Sequence, residues 1–385
     1  MQINFNAMDF KNIRRYLHKN PELSSQETNT SKYIIEVLNS LNIKNIYHGF
    51  AGNSIIAKIE NKAKKENSPV LIFRCDIDAV SITEQNNISH ISSKKGVMHA
   101  CGHDGHTTIM LNFAKMLMEQ PIPNCTFLLL FQSAEETGQG AKEVIDSNIL
   151  KDYNISEVFA LHNIPGYDKN SIICKHGAFT ATVESLNIFL KGKASHASEP
   201  ENGVNPTLAV AEIINFFDSL NQTDKRQSDY FICTPIQIKA GSASYGISAS
   251  EAIISYTFRA WDYSYFLERK SEIENALLNI TKKTNGLQLS TEWIEPFPSC
   301  ENNSNSVKRI INAANNCNLK YIEKEEPFSW GEDFGFFTQK YRGALFGIGA
   351  GTDTPALHSS NYDFPDELIE NGAKMLYFIA KDCVG

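Results

Sequence analysis

The sequence lacks long apolar segments, clustered cysteines and an excess of basic residues. No apolar run approaches the ~20 residues that are needed to cross a bilayer, so a membrane-spanning protein is not expected. The first residues, MQINFNAMDFKNIRR, lack the charged-then-apolar order of a signal peptide. The net charge of −8 argues against nucleic acid or an anionic membrane surface as the main partner. We therefore expect neither a membrane nor a nucleic acid as partner.

The cysteines are scattered, and no two of the eight form a CxxC pair. This spacing argues against the disulfide framework of a small secreted protein. It is typical of a cytoplasmic protein whose cysteines are reduced, buried or used for chemistry. A chain of 385 residues is too long for one simple core, which predicts two domains.

The segment Met98–Thr108 reads M-H-A-C-G-H-D-G-H-T-T and concentrates histidine, cysteine and aspartate. Cys101 and His103 are two positions apart, and on a helix such side chains point to different faces. They can converge on a turn, and Gly102 and Gly105 make a turn easy. The apolar residues that follow recur at helical spacing. The pattern predicts a loop that binds zinc or a related metal and opens into a buried helix, with a turn that carries chance histidines as the alternative.

Potential metal ligands follow four short apolar runs. Val70–Phe73 leads to Asp76 and Asp78, Thr126–Phe131 to Glu135 and Glu136, Val158–Leu161 to His162, and Ala344–Ile348 to His358. Apolar runs that alternate with helical stretches predict a parallel sheet with helices on both faces. Ligands of such sheets bind beyond the carboxyl ends of the strands. We therefore expect one metal site at that edge.

Glu135 and Glu136 are adjacent, so in regular structure they point apart. One of them can bind metal while the other faces the substrate and takes a proton from water, a division of labour that a metal hydrolase needs. The alternative is an ordinary acidic start of a helix.

After Gly177 the pattern changes to two alternations of strand and helix. The order β-α-β-β-α-β, ending in a strand or return path at 287–293, predicts an α+β domain of ferredoxin-like type. His196 follows the first of these strands on a small-residue loop, and Arg259 ends a later one. Taken alone, both are expected to be surface groups. His18 and Glu22, which flank the break at Pro21, are likewise predicted to lie in a surface turn.

Eight segments, in this order along nearly the whole chain, resemble the M20 family of metallopeptidases and amidohydrolases. They are HKNPELSSQE (18–27), RCDIDAVSI (74–82), MHACGHDGHTT (98–108), FQSAEETGQGAKEVI (131–145), LHN (161–163), GKASHASEP (192–200), GEDFGFF (331–337) and LHSSNYDF (357–364). Within the family, the chain is most similar to the N-acyl-amino-acid amidohydrolases. That branch includes hippurate hydrolases, auxin-conjugate hydrolases and N-acetyldiaminopimelate deacetylases.

The resemblance implies an α/β fold, in which a parallel-rich sheet flanked by helices forms a zinc-peptidase-like catalytic domain. An α+β ferredoxin-like lid domain, which usually dimerises, would be inserted into it. The expected boundaries are 1–179 and 289–385 for the two parts of the catalytic domain and 180–288 for the lid.

The resemblance also assigns roles to individual residues. The implied metal ligands are Cys101, His103, Glu136, His162 and His358. Glu135 would be the general base, and Asp76 would orient a ligand. His196 and Arg259 match lid positions that touch substrate. We expect His103 and His162 on one metal ion, Glu136 and His358 on the other, and Cys101 as the bridge.

The chain departs from the family pattern at several positions. Ser133 replaces a usual proline, Cys75 and Ser81 alter the segment around Asp76, and Gly331 stands where many relatives have serine or alanine. Gly246 aligns with a usual asparagine, so an amide that would face the substrate is missing. These changes affect the expected specificity and leave every implied metal ligand in place.

The predicted function is metal-dependent hydrolysis of a small-molecule N-acyl amino acid to a carboxylate and a free amino acid. The implied cofactors are two divalent ions per subunit, zinc or manganese, with cobalt and nickel as alternatives. The implied assembly is a homodimer through the lid. A dipeptidase or aminopeptidase of the same fold is one alternative, and a non-catalytic metal-binding regulatory protein is the other.

Overall fold

The computed structural model describes residues 9–60 and 68–385. The chain divides into two compact units. The first comprises Met1–Phe179, Cys300–Glu325 and Glu332–Gly385, and the second comprises Thr180–Ser299 and Glu326–Gly331.

The described residues form helices and strands with the following bounds. The helices are α1 (Phe10–Lys19), α2 (Thr28–Ser40), α3 (His103–Glu119), α4 (Gly140–Asp146), α5 (Thr207–Ser219), α6 (Tyr263–Lys282), α7 (Ser304–Asn316), α8 (Gly335–Lys340) and α9 (Leu368–Val384). The strands are β1 (Ile46–His48), β2 (Ile55–Glu60), β3 (Val70–Asp76), β4 (Thr126–Gln132), β5 (Ile155–Pro165), β6 (Ile172–Cys174), β7 (Gly177–Ala178), β8 (Thr182–Lys191), β9 (Phe231–Ala240), β10 (Glu251–Ala260), β11 (Gln288–Phe297), β12 (Glu301–Asn302), β13 (Tyr321–Glu323) and β14 (Gly343–Gly351).

The first unit is built on a mixed sheet of eight strands in the order β1-β2-β4-β3-β5-β14-β6-β13. Its four central strands, β4, β3, β5 and β14, run parallel to one another, and the outer neighbours β2 and β6 pair with them antiparallel. Every residue of β3, β4 and β14 is buried, which explains why these strands read as continuous apolar runs. The predicted parallel-rich sheet flanked by helices is confirmed.

The cysteine–histidine loop turns into α3 at Gly102. Gly102 has φ +92°, a conformation that glycine adopts without steric penalty, and His103 is the first helical residue. The loop that opens into a buried helix is therefore present as predicted. Gly105 has a different role from the one predicted, because it lies inside α3. A Cβ atom there would come within 2.4 Å of the Phe364 ring, so Gly105 permits close packing of the helix.

The prediction of a surface turn at His18 and Glu22 is wrong, because both side chains are buried. His18 Nδ1 lies 2.8 Å from Asp104 Oδ2 in the first turn of α3, so α1 carries the partner of a buried aspartate. Glu22 Oε2 accepts hydrogen bonds from the backbone N–H groups of Asn29 (2.8 Å) and Thr30 (2.9 Å) and thereby caps α2. Both side chains are buried where they supply hydrogen-bond partners to groups of other elements.

The second unit has the predicted order β8-α5-β9-β10-α6-β11. Its four strands are antiparallel in the order β11-β8-β10-β9. The first segment of this unit, Thr180–Ser299, extends beyond the expected boundary at 288, because β11 belongs to its sheet and pairs with β8. Alternate residues of β10, including Ile254, Tyr256 and Phe258, are buried in a core with α5 and α6.

No helix in the described ranges is long and apolar enough to cross a membrane. All eight cysteines lie within these ranges, and none of them forms a disulfide.

Candidate metal centre

The carboxyl edge of the central sheet collects the predicted metal ligands of the first unit. β5 carries His162, the turn after β4 carries Glu135 and Glu136, and the loop that opens α3 carries Cys101 and His103. The loop after β14 adds one more histidine, His358. The structure therefore brings these residues together at one edge, while His196 and Arg259 belong to the second unit.

One group of potential ligands consists of Cys101, Glu136 and His358. One ligand atom from each of these residues lies within 4.8 Å of the others. His358 Nε2 is 3.3 Å from Glu136 Oε2. The backbone N–H of His358 donates to the carbonyl of Ala100, 2.9 Å away, which ties the two ligand loops together.

A second group contains His103 and His162, together with Asp76 and His106. Cys101 Sγ lies 3.5 Å from His162 Nε2. Cys101 is therefore close to members of both groups.

Two buried polar atoms in this cluster have no hydrogen-bond partner among the described residues, His103 Nε2 and Glu136 Oε1. They lie 3.8 Å apart. On the opposite side of the ring, His103 Nδ1 is 2.9 Å from the carbonyl oxygen of Asp78 and 3.2 Å from its carboxylate, so Nδ1 carries the proton and Nε2 is left to bind a cation. Buried polar atoms normally have partners. A thiol, imidazoles and carboxylates around such atoms fit a divalent transition metal.

The charges around His103 act in the direction that a cation site requires. Burial alone would lower the pKa of His103, but Asp76, Asp78 and Glu136 raise it to about 10 in the metal-free protein. Burial would raise the pKa of Asp76, yet His103, His106 and Arg74 bring it well below its ordinary value. The carboxylates of this cluster therefore favour a positive charge at His103.

Asp76 and Asp78 have different partners. Asp76 Oδ1 is 2.6 Å from His106 Nδ1, and its Oδ2 accepts from Arg74 Nη1 at 2.8 Å. The family resemblance implies that Asp76 orients a ligand, whereas in the structure it is Asp78 that contacts His103 Nδ1. The sequence offered a signal for Asp78. In D-I-D the two aspartates are two positions apart, and residues at this spacing on an extended segment point to the same face.

Glu135 lies in a buried group of carboxylates with Glu332 and Asp333, whose ligand atoms are within 4.8 Å of one another. Arg74 Nη2 lies 2.9 Å from Glu332 Oε1 and 2.6 Å from Asp333 Oδ1. Burial, followed by the charges of Glu332 and Glu136, raises the pKa of Glu135 well above its ordinary value. A raised pKa suits a carboxylate that has to accept a proton.

Sequence reasoning missed this carboxylate group. Arg74 offered a signal, because a charged residue inside a continuous apolar strand needs buried partners. Glu332 and Asp333 stand in the G-E-D-F motif, which had no assigned role.

The two candidate residues of the second unit have few polar contacts. His196 is exposed, and its Nδ1 lies 2.6 Å from Ser198 Oγ. Arg259 is half-buried, and its Nε donates to the carbonyl of Ser329 at 3.0 Å. Burial lowers the pKa of Arg259, while the neighbouring Tyr230 acts in the opposite direction.

The chain is similar to known proteins over most of its length. Residues 72–382 match peptidase family M20/M25/M40. An uncharacterized hydrolase of Staphylococcus haemolyticus is 31% identical over 368 residues, which cover 92% of this chain and 93% of that protein. The N-acetylcysteine deacetylase of Bacillus subtilis is 29% identical over 362 residues, which cover 93% of this chain and 92% of that protein.

Solved structures show the same fold. A Bacillus subtilis protein described as a dinuclear metal binding peptidase from the M20 family superposes with a TM-score of 0.82 at 26% identity, covering 97% of both chains. The aminopeptidase PepT of Bacillus cereus superposes with a TM-score of 0.74 at 16% identity, covering 100% of both chains. With the donor set at the sheet edge, these matches lead to one conclusion: the chain belongs to peptidase family M20/M25/M40 and is a metal-dependent hydrolase that acts on amides.

Proposed function

We propose that this enzyme hydrolyses the amide bond of N-acylated amino acids and releases a carboxylate and a free amino acid. The observation that carries the proposal is the buried Glu135, whose Oε2 lies 3.9 Å from the unpartnered His103 Nε2. A carboxylate placed beside a cation site, with a raised pKa, is suited to act as general base in hydrolysis. The similarity to N-acetylcysteine deacetylase supports N-acyl amino acids as the substrate class.

Five residues would hold two divalent ions. His103 and His162 would serve one ion, Glu136 and His358 the other, and Cys101 would bridge them, since its sulfur is close to both groups. When bound, divalent ions supply Lewis acidity that acidifies a water molecule and polarises the acyl carbonyl. Zinc and manganese are the ions that we propose first.

The remaining steps belong to residues of the chain. Glu135 would take the proton of the attacking water and pass it to the leaving nitrogen. Asp78 would keep the His103 ring oriented through its contact with Nδ1. Arg74 would balance the negative charge of Glu332 and Asp333 behind the base.

The second unit would act as a lid that completes the site. Arg259 would bind the carboxylate of the amino acid. Its guanidinium is half-buried, and burial lowers its pKa, an effect that the neighbouring Tyr230 opposes. A carboxylate of the substrate would oppose it further. His196 would donate a hydrogen bond to the oxyanion that forms on the acyl carbonyl.

We further propose a homodimer formed by the second unit, with His196 acting on the partner's site. Strand β9 is an edge strand, and all of its residues from Thr234 to Ala240 are exposed. Ile236 and Ile238 are among them, with exposed fractions of 63% and 46%. An open, apolar edge of this kind is commonly closed by antiparallel pairing with a second copy. The eight reduced cysteines favour a cytoplasmic setting for this assembly.

A substrate panel tests the proposal. The purified protein is loaded in turn with zinc, manganese, cobalt or nickel and offered acetyl-, benzoyl- and indoleacetyl-amino acids, with free dipeptides as the competing class. We expect release of free amino acid from at least one acyl series and loss of that activity in Glu135→Gln. Preferential cleavage of dipeptides would favour a peptidase. No turnover of any compound by metal-loaded protein would favour a metal-binding protein without catalysis.

A further inference from the structure

The turn that presents Glu135 and Glu136 is held by side chains from three other parts of the first unit. The backbone N–H of Ser133 donates to Ser54 Oγ at 3.1 Å, and that of Ala134 donates to Glu27 Oε1 at 2.9 Å. The backbone N–H of Glu136 donates to Asp78 Oδ2 at 3.0 Å. We call Glu27, Ser54 and Asp78 the acceptor clamp.

The clamped turn contains an unusual backbone conformation. Ala134 has φ +56°, a left-handed conformation that alanine adopts about tenfold less readily than glycine. Such conformations persist when the surrounding structure enforces them, and they concentrate at functional sites. Here the unusual residue stands immediately before Glu135, so its conformation sets the directions of the two carboxylates that follow.

Glu27 is built into the protein as an acceptor. Its side chain is fully buried, and Oε1 also accepts from the backbone N–H of Ser25 at 2.9 Å. Oε2 accepts from Asn53 Nδ2 at 3.0 Å. Burial, followed by the charge of Asp78, raises the pKa of Glu27, so keeping a carboxylate at this place is unfavourable by itself. No cation is among these contacts. The partners of Glu27 are N–H groups, among them the backbone N–H of Ala134 in the turn.

We propose that Glu27 is a positioning residue: by holding the N–H of left-handed Ala134, it directs Glu135 toward the substrate water and Glu136 toward metal. This inference rests on the proposed hydrolytic function. Ser54 assists Glu27 through a contact that depends on Ser133, a residue that departs from the family pattern. Ser133 stands where the family usually has proline, so it has an N–H that proline lacks, and Ser54 accepts from that N–H and lies 3.2 Å from the Ser133 hydroxyl.

The first test compares Glu27 with a matched buried carboxylate. Glu27→Ala should lower kcat by roughly 10²-fold, the usual consequence of a displaced catalytic group, and should leave KM nearly unchanged. Glu27→Gln keeps an oxygen that can accept from Ala134 and should keep most of kcat. The control is Glu22→Ala. Glu22 is also buried and also accepts backbone N–H groups, from Asn29 and Thr30, but it does not touch the turn. Glu22→Ala should lower Tm without changing kcat.

The second test is rescue through the backbone. Glycine adopts φ +56° without steric penalty, so Ala134→Gly should restore about tenfold of the lost kcat in the Glu27→Ala background. In the wild-type background the same change should have little effect. If Glu27→Ala does not fold, Glu27→Asp replaces it, because it keeps the charge and withdraws the acceptor from Ala134.

A readout that does not require turnover separates this inference from the proposed function. Cobalt(II)-loaded protein should show a changed visible spectrum in Glu27→Ala, because Glu136 moves, and a return toward the wild-type spectrum when Ala134→Gly is added. If wild type hydrolyses no N-acyl amino acid, the proposed function fails while the spectra still test the clamp. Unchanged spectra and unchanged kcat in Glu27→Ala would overturn the positioning role. If Glu22→Ala, against expectation, lowered kcat as much as Glu27→Ala does, and if glycine at position 134 gave no rescue, Glu27 would be a purely structural residue.

Discussion

The two sheets of the molecule differ in the burial and hydrogen bonding of their polar side chains. At the carboxyl edge of the first sheet, Arg74, Asp76 and Asp78 are at most 1% exposed and each is hydrogen-bonded. The second sheet buries one face against α5 and α6, and along β10 its other face is half-exposed. Its candidate residues, His196 and Arg259, have few polar contacts. The first unit therefore gathers a candidate metal centre from its own residues, whereas the roles proposed for His196 and Arg259 need a partner from outside the second unit.

The largest effect is expected from the two adjacent carboxylates of the first unit. Glu135→Gln should keep its metal and lose roughly 10²–10⁴-fold in turnover, because it would remove the proposed general base and none of the proposed ligands. Glu136→Gln should lose metal, because Glu136 Oε1 is one of the unpartnered buried atoms. Metal analysis and turnover of both purified variants check this prediction. Reversed metal contents would exchange the roles of base and ligand.

Much of the first unit was accessible from sequence. Apolar runs that end in acids or histidine indicated β3, β4, β5 and β14, and both faces of these strands are covered, so the runs are continuous. The metal loop was accessible because Cys101 and His103 are close in sequence and carry distinctive chemistry. These signals are local, and local patterns suffice to find them.

The supporting contacts were not accessible, because they join residues that are far apart in sequence. Glu27 meets the N–H of Ala134, and Arg74 meets Glu332 and Asp333. His18 looked like a surface residue because its partner, Asp104, lies in another helix. Periodicity describes which face of an element is buried, but it does not say which polar groups meet inside.

In the second unit, His196→Ala should lower turnover by about 10²–10³-fold, the usual effect of losing one oxyanion donor. Complementation decides where His196 acts. Inactive Glu135→Ala and impaired His196→Ala proteins are mixed and allowed to exchange subunits. If His196 acts on the partner's site, each mixed dimer has one site with both groups intact, and activity should rise well above that of either parent.

Two outcomes would remove this contrast between the units. Absence of recovery, with subunit exchange verified by differently tagged chains, would place His196 on its own subunit's site. Full activity of His196→Ala alone would take the residue out of the mechanism and leave it as an exposed loop residue.

Cys101→Ser tests how far metal binding by the first unit depends on the Cys101 thiol. Near neutral pH a serine hydroxyl remains protonated and is a poor ligand, whereas a thiolate binds zinc and related metals well. We expect metal affinity to fall by at least the roughly 10–100-fold that follows loss of a supporting residue, with activity falling in parallel. Metal titration of the apoprotein measures the change. Cys101→Ala is the matched control, since it removes the ligand without offering a hydroxyl. Normal stoichiometry in both variants would place Cys101 outside the metal-binding set.

The smallest effect on turnover is expected at His18, whose hydrogen bonds go to Asp104 and Glu84 and not to a proposed metal ligand. His18 lies between Asp104 (2.8 Å) and Glu84 (3.2 Å), with Arg14, His90 and His99 nearby. Burial would lower its pKa, but the hydrogen bonds to Asp104 and Glu84 raise it from 6.5 to about 9.

The sign of the pH dependence follows from this shift. Since the folded protein holds the His18 proton more tightly than the unfolded chain, the stabilisation is complete below pH 6.5 and is lost as pH rises through about 9. The contribution is about 3 kcal/mol at most. The free energy of unfolding of wild type should therefore fall between pH 6.5 and 9 more steeply than that of His18→Gln, which has no proton to lose. Denaturant titrations of the two apoproteins across this range measure the difference. Parallel curves would mean that His18 is already neutral in the fold, and the link between α1 and α3 would then be an ordinary hydrogen bond.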